Sequence, residues 1–130
     1  MKRVIGIGGI FFKAKNPEKL RDWYRDHLGF NVDNWGGVEF LPSGTPDSIE
    51  NEKTIWSLFP NDSKYFEPST QPFMINYRVD DLHALIAALR LEGCAVDDKI
   101  DDSEFGKFGW VMDPEGNRIE LWEPPKNIPV

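Results

Sequence analysis

The stretch FGWVMDPEGNRIELWEP, residues 108–124, predicts two β-strands joined by a tight turn. Its central segment DPEGN, residues 113–117, has a turn composition, because Pro presets φ while Gly and Asn accept positive φ. The second strand alternates aliphatic residues with charged or aromatic ones: Arg118, Ile119, Glu120, Leu121 and Trp122. One face of this strand therefore suits a packed layer, and the other suits a cavity or water.

The composition favours a single acidic domain without a nucleic-acid partner. A chain of 130 residues is long enough for one hydrophobic core. Its net charge of −7 argues against a nucleic-acid partner and against an anionic membrane surface, because both require clustered Lys and Arg. The aromatic content of 13% is high, which indicates an aromatic core or an aromatic-lined pocket.

Cysteine usage and hydropathy indicate a cytoplasmic protein. Cys94 is the only cysteine, so the chain forms no intrachain disulfide and no cysteine-based zinc site. No apolar run approaches the ~20 residues that span a bilayer. The N-terminal residues lack the apolar segment of a signal peptide. We therefore expect no membrane partner and a reducing compartment.

The chain contains an internal repeat of roughly 60 residues. The strand and helix start at 9–16 match those at 74–81, the helix end at 28–30 matches 92–94, and the strand at 54–60 matches 118–124. Asn16 and Asp81 are predicted helix N-caps, and Gly29 and Gly93 are predicted stops. We expect one domain over 1–130, with module 1 at about 3–60, a linker at 61–71 and module 2 at about 72–124.

Each module is predicted to have the order β-α-β-β-β, which makes the fold class α+β. In module 1 the strands are expected at 3–14, near 30–33, at 37–41 and at 54–60, with a polar loop at 42–53. In module 2 they are expected at 72–79, near 95–96 and in the final hairpin. The acidic stretch at 97–104 is interpreted as a solvated loop because it lacks calcium-loop spacing.

The chain resembles the vicinal-oxygen-chelate superfamily, which includes glyoxalase I, extradiol dioxygenases and bleomycin-resistance proteins. The resemblance rests on the first strand leading into Asn16-Pro17, on WYRDHLGF at 23–30, on VDDL at 79–82 and on DPEGNRIEL at 113–121. It implies a glyoxalase-like fold, in which two βαβββ modules with curved mixed sheets enclose a cavity. It also implies a homodimer.

Metal-using members of that superfamily place His, Gln or Glu at four equivalent strand positions. The resemblance assigns these positions to Gly9, Trp56, Met74 and Glu120. Only Glu120 offers a ligand suited to a hard or borderline divalent ion, and one carboxylate is too few. We therefore expect no cofactor, and a divalent metal is disfavoured.

The pleat predicts which side chains share a face with Glu120. The candidate ligand-binding residues on this face are Phe11, Trp56, Met74, Asn76, Arg78, Arg118 and Trp122. Without a metal, this face is an aromatic cavity with a few polar groups, which is typical of a small-molecule pocket. Alternatively, these side chains only fill the space between sheets, and Glu120 pairs with Arg118, Arg78 or Asn76.

Three functions are compatible with these patterns. The leading hypothesis is a metal-independent protein that binds a small organic ligand in an aromatic cavity, similar to bleomycin-resistance proteins. The first alternative is an enzyme of lyase, isomerase or dioxygenase type, with Glu120 as metal ligand or as general base assisted by Arg78 or Arg118. The second alternative is a structural or interaction module.

Overall fold

The computed structural model describes residues 2–42 and 52–126. Two helices and eight strands form within these ranges. The polar loop expected at 42–53 lies largely outside the described residues. Among the described residues, neither helix has the length and hydropathy that crossing a membrane would require.

Both helices begin at the predicted caps. Helix α1 spans Pro17–Leu28, and the Asn16 side chain accepts a hydrogen bond from the backbone N–H of Lys19 at 3.1 Å. Gly29 ends this helix in the left-handed region with φ 70°. Helix α2 spans Leu82–Leu91, and the Asp81 carboxylate caps it by accepting from the N–H of Ala84 at 3.1 Å.

The strands form one mixed sheet that joins the two halves of the repeat. They are β1 Val4–Ala14, β2 Val38–Phe40, β3 Thr54–Pro60, β4 Phe73–Val79, β5 Ala95–Val96, β6 Asp101–Ser103, β7 Gly106–Met112 and β8 Arg118–Glu123. The order is β2-β3-β1-β4-β8-β7-β5, and β6 pairs with β7. In each half the first strand pairs in parallel with the last, while β1 and β4 pair antiparallel. The predicted α+β, glyoxalase-like class is confirmed, and the curved sheet does not close into a barrel.

Two predicted segments differ from the structure. Residues 30–33 do not form a strand, because the N–H of Phe30 bonds to the carbonyl of Tyr24 and closes helix α1. The Phe30 ring then packs on Trp56 at 4.9 Å between centroids. The acidic stretch is not entirely loop, since β6 pairs with β7 through backbone bonds that need no apolar side chains.

The sheet has two faces with different partners. On the helix face, α2 packs against Val79 and Leu121, and α1 packs against Trp56 and Leu58. On the opposite face, here called the cavity face, Phe11, Met74 and Trp110 form an apolar cluster with Phe66 from the segment between the modules. Because successive residues of a strand alternate between faces, Glu120 lies on the cavity face between Ile119 and Leu121 on the helix face.

The substitution Leu82→Ala should destabilise the protein strongly, because Leu82 is fully buried against the sheet. We expect the free energy of unfolding to fall by about 2–5 kcal/mol, measured by urea denaturation. The matched control is Leu91→Ala at the other end of the same helix, where Leu91 is 90% exposed. That variant should lose no more than about 0.5 kcal/mol. Equal losses in the two variants would contradict the packing of α2.

Candidate functional site

The centre of the candidate site is the carboxylate of Glu120 on β8, which is only 2% exposed. Three neutral groups donate hydrogen bonds to it. Asn76 Nδ2 donates to Oε1 at 2.6 Å, Trp110 Nε1 donates to Oε2 at 2.9 Å, and the Tyr65 hydroxyl also donates to Oε2. Burying a carboxylate is costly unless such donors replace its lost water.

The sheet register explains two of these donors. Asn76 on β4 and Trp110 on β7 are the direct cross-strand partners of Glu120. Their side chains therefore project on the same face as the carboxylate. The third donor, Tyr65, comes from the segment between the modules, where its ring stacks on Phe59 at 5.5 Å between centroids.

An open cavity of about 530 Å³ lies over the cavity face next to Glu120. Its aromatic wall includes Phe108 and Trp122, whose rings stack with an interplanar angle of 8°. The described residues that line it are Gly8, Phe11, Glu39, Lys53, Ile55, Asn76, Glu104, Phe105, Phe108, Glu120, Trp122, Pro124 and Pro125. This size and this mixture of aromatic and polar groups are typical of sites for small organic molecules.

Glycines in β1 make room for the side chains of the site. A Cβ on Gly8 would overlap the Oδ1 atom of Asn76 and would lie 2.9 Å from Trp122. A Cβ on Gly6 would overlap the guanidinium of Arg78. These positions therefore need glycine for close approach of neighbouring side chains, although they lie inside a strand.

Four of the predicted site residues line the cavity: Phe11, Asn76, Glu120 and Trp122. Met74 lies on the predicted face but is fully buried in the apolar cluster beneath the cavity. The placement of Trp56 on this face is wrong. Since Phe11 aligns with Ser57 in β3, Trp56 points to the helix face and packs on Tyr24 at 4.8 Å. A one-residue shift of register moves a whole strand's side chains to the other face.

The two predicted arginines do not contact Glu120. Arg78 Nη1 donates to the backbone carbonyls of Ile7, Glu52 and Lys53 at 3.0–3.1 Å. Arg118 Nη1 donates to the carbonyl of Tyr65, and its Nη2 lies 3.4 Å from Asp97. The Arg118 guanidinium stacks 4.9 Å from the Trp110 ring centroid, so it supports a donor to Glu120 rather than Glu120 itself. Of the three predicted partners, only Asn76 pairs with the carboxylate.

The four positions at which related proteins would place metal ligands do not fit a divalent ion. The ring of Phe11 fills the space over Gly9, 2.7 Å from where a Cβ would lie. Met74 offers a thioether, and β3 presents Ser57 rather than Trp56 beside β1. Within the described ranges, no three His, Cys, Asp or Glu side chains come together as a metal-binding group. The described surroundings of the Glu120 carboxylate are therefore side-chain hydrogen-bond donors, not further metal-binding groups.

Sequence reasoning missed Tyr65, Trp110 and Phe108. Trp110 could have been found, because the turn at 113–117 sets Met112 opposite Arg118 and hence Trp110 opposite Glu120. No sequence pattern predicted the role of Tyr65, because its segment has the composition of a linker. Its contact with Glu120 also joins residues 55 positions apart in the sequence. Lys53 and Phe105 also line the cavity without having been predicted.

The environment of Tyr65 strengthens its role as a donor. Burial raises the pKa of the Tyr65 phenol, and the adjacent charge of Glu120 raises it further. The folded protein therefore keeps this proton at pH values at which an unfolded chain, with an ordinary tyrosine pKa of about 10, releases it. The resulting stabilisation is complete below about pH 10 and declines as the pH rises above it.

The substitution Tyr65→Phe should make the stability of the protein less dependent on alkaline pH. In the wild type we expect the free energy of unfolding to fall more steeply with rising pH above about pH 10 than it does in the variant. Urea denaturation between about pH 9 and about pH 11 measures this slope. An unchanged slope in Tyr65→Phe would contradict the hydrogen bond from Tyr65 to Glu120.

A family model identifies the family of this chain, and solved structures share its fold. A family model described as Glyoxalase/Bleomycin resistance protein/Dioxygenase superfamily matches residues 6–121. Among the curated proteins, no significant match is found.

Solved structures with the same fold cover nearly the whole chain. One is a variant of Streptomyces coelicolor methylmalonyl-CoA epimerase in complex with 2-nitronate-propionyl-CoA, at 17% identity and a TM-score of 0.69, covering 97% of this chain and 99% of that chain. Another is methylmalonyl-CoA epimerase from Mycobacterium tuberculosis, at 20% identity and a TM-score of 0.59, covering 95% of this chain and 90% of that chain. A third is a glyoxalase/bleomycin resistance protein/dioxygenase superfamily member from Vibrio splendidus 12B01, at 12% identity and a TM-score of 0.58. It covers 95% of this chain and 99% of that chain.

Proposed function

This chain belongs to the Glyoxalase/Bleomycin resistance protein/Dioxygenase superfamily, and on that premise we propose that it binds a small organic molecule in its aromatic cavity without a metal ion. The observation that carries this proposal is the cavity of about 530 Å³ beside a buried, hydrogen-bonded carboxylate. Aromatic walls supply contact area for an organic ligand, and a few fixed polar groups supply orientation.

The donors around Glu120 support the metal-free part of the proposal. A carboxylate has about four lone-pair sites. Tyr65, Trp110 and Asn76 occupy three of them. A metal ion would have to displace these donors and would find no second carboxylate or imidazole at Gly9, Trp56 or Met74, or at Ser57, which takes the place of Trp56 on the cavity face.

Binding is favoured over the enzyme alternative by the same contacts. A general base must accept a proton from a substrate, whereas three hydrogen-bond donors already occupy lone pairs of the Glu120 carboxylate. The two arginines that were candidates to assist Glu120 are engaged elsewhere, Arg78 on backbone carbonyls and Arg118 at Tyr65 and Asp97. The interaction-module alternative has less support, because the cavity beside Glu120 is open rather than tightly packed.

The setting that we propose is a homodimer in the cytoplasm. Exposed apolar side chains on β1 and α1, including Ile5, Ile7 and Leu28, support association of two copies. Cys94 is an exposed free thiol, which is compatible with a reducing compartment.

The proposed function predicts that protein dialysed against EDTA binds aromatic fragments. A panel of one-ring and two-ring aromatic alcohols, amines and acids is screened by saturation-transfer NMR, and affinities are measured by quenching of tryptophan fluorescence. We expect binding that Ile55→Phe weakens by about tenfold, because the larger ring occupies the cavity lined by Ile55.

The matched control is Ile10→Phe, which adds the same ring on the opposite face of the neighbouring strand and should leave affinity unchanged. Failure of every fragment to bind, or equal affinity of wild type and Ile55→Phe, would contradict the proposed function. Affinity that appears only after adding Ni²⁺, Mn²⁺, Fe²⁺ or Zn²⁺ would overturn its metal-free part.

A further inference from the structure

We propose that the ligand of this cavity carries a cationic hydrogen-bond donor, such as a protonated amine or an amidine, which is held between Asn76 and Glu120. This inference rests on the proposed function and adds the chemical class of the ligand. It is carried by one buried acceptor that lacks a donor and by the charges around the cavity.

The acceptor is the Oδ1 atom of Asn76. A carboxylate can only accept hydrogen bonds, so Glu120 fixes the Asn76 amide with its NH₂ group toward Oε1, at 2.6 Å. Oδ1 then points away from Glu120, and among the described residues it has no hydrogen-bond partner, although Asn76 is only 2% exposed. Buried carbonyls nearly always have a donor, so this atom indicates a missing one.

Gly8 lies at the wall of the cavity beside this acceptor. A Cβ on Gly8 would lie 2.2 Å from Oδ1, so glycine is needed there to leave room for the Asn76 amide. Gly8, Asn76 and Glu120 all line the same cavity. In the proposed complex the cationic group lies at this end of the cavity, against Oδ1 and the remaining acceptor site of Glu120.

The charges around the cavity favour a cation as that donor. Its described lining carries three carboxylates, Glu39, Glu104 and Glu120, and one ammonium, that of Lys53. The Nζ atom of Lys53 forms a salt bridge with Oε1 of Glu39 at 3.1 Å. In the described part of the chain, Glu120 has neutral donors only, and Glu104 has no ion pair. A neutral or anionic ligand would leave this negative potential uncompensated.

The aromatic wall suits the remainder of such a ligand. The stacked rings of Phe108 and Trp122, with centroids 6.0 Å apart, line the cavity together with Phe11. Ring faces attract cations as well as flat apolar groups. An aromatic or aliphatic body attached to an amine therefore matches both parts of the site.

Three probes of the same shape separate charge from shape: naphthalen-2-ylmethylammonium, naphthalene-2-methanol and naphthalene-2-carboxylate. Their affinities for the EDTA-dialysed protein are measured at neutral pH by tryptophan fluorescence and isothermal calorimetry. We expect the ammonium probe to bind at least about tenfold more tightly than the alcohol, and the carboxylate to bind most weakly.

Two variants locate the cationic group. Asn76→Leu should abolish the preference of the protein for the ammonium probe over the alcohol. Because removing a donor from Glu120 can impair folding, Glu104→Gln at the exposed edge of the cavity provides a second test. It should weaken binding of the ammonium about two- to fivefold through loss of one nearby charge while leaving the alcohol unchanged. Glu115→Gln, in the distant turn between β7 and β8, is the matched control.

The outcomes separate this inference from the proposed function. Equal or tighter binding of the alcohol or of the carboxylate would overturn the cationic class while leaving ligand binding in the cavity intact. Absence of binding by all three probes and by the fragment panel would overturn both. Preference for the ammonium that neither Asn76→Leu nor Glu104→Gln reduces would overturn the placement of the cationic group.

Discussion

The burial of one carboxylate constrains the whole cavity face of this protein. Glu120 is 2% exposed, and its carboxyl oxygens need hydrogen-bond partners in place of water. Three separate parts of the chain supply them: β4 through Asn76, β7 through Trp110, and the segment between the modules through Tyr65. Losing any one of these donors leaves a charge partly unsatisfied, so the carboxylate couples the placement of all three segments.

The same constraint turns a segment with a linker composition into part of the site. Tyr65 is held by stacking on Phe59 and by bonding to Glu120, and its neighbour Phe66 is fully buried among Met74, Phe11 and Trp110. Arg118 covers the outside of this arrangement by stacking on Trp110 and bonding to the Tyr65 carbonyl. The segment therefore lies against one side of the cavity face through Tyr65 and the buried Phe66, whereas most of its other residues are exposed.

In the described part of the chain, the centre of the cavity face holds no cluster of three His, Cys, Asp or Glu side chains. Gly9 and Met74 lie near Glu120 on this face, and the Phe11 ring fills the space over Gly9. The Glu120 carboxylate accepts hydrogen bonds from three side chains. Among the described residues, the Oδ1 atom of the neighbouring Asn76 has no hydrogen-bond partner. The aromatic cavity face thus has a polar centre, in which the Glu120 carboxylate and Asn76 Oδ1 are hydrogen-bond acceptors.

The local patterns of the sequence determined the helices, the hairpin and the repeat. Asn16, Asp81 and Gly29 act within one turn of chain, and the alternation in β8 is set by the pleat, so nearest-neighbour physics is sufficient for them. Only the tertiary structure decided the register of β3, which sends Trp56 to the helices, and the approach of Tyr65 to Glu120. These depend on pairing between residues far apart in sequence, where a shift of one residue or a distant contact leaves no periodic signal in the chain.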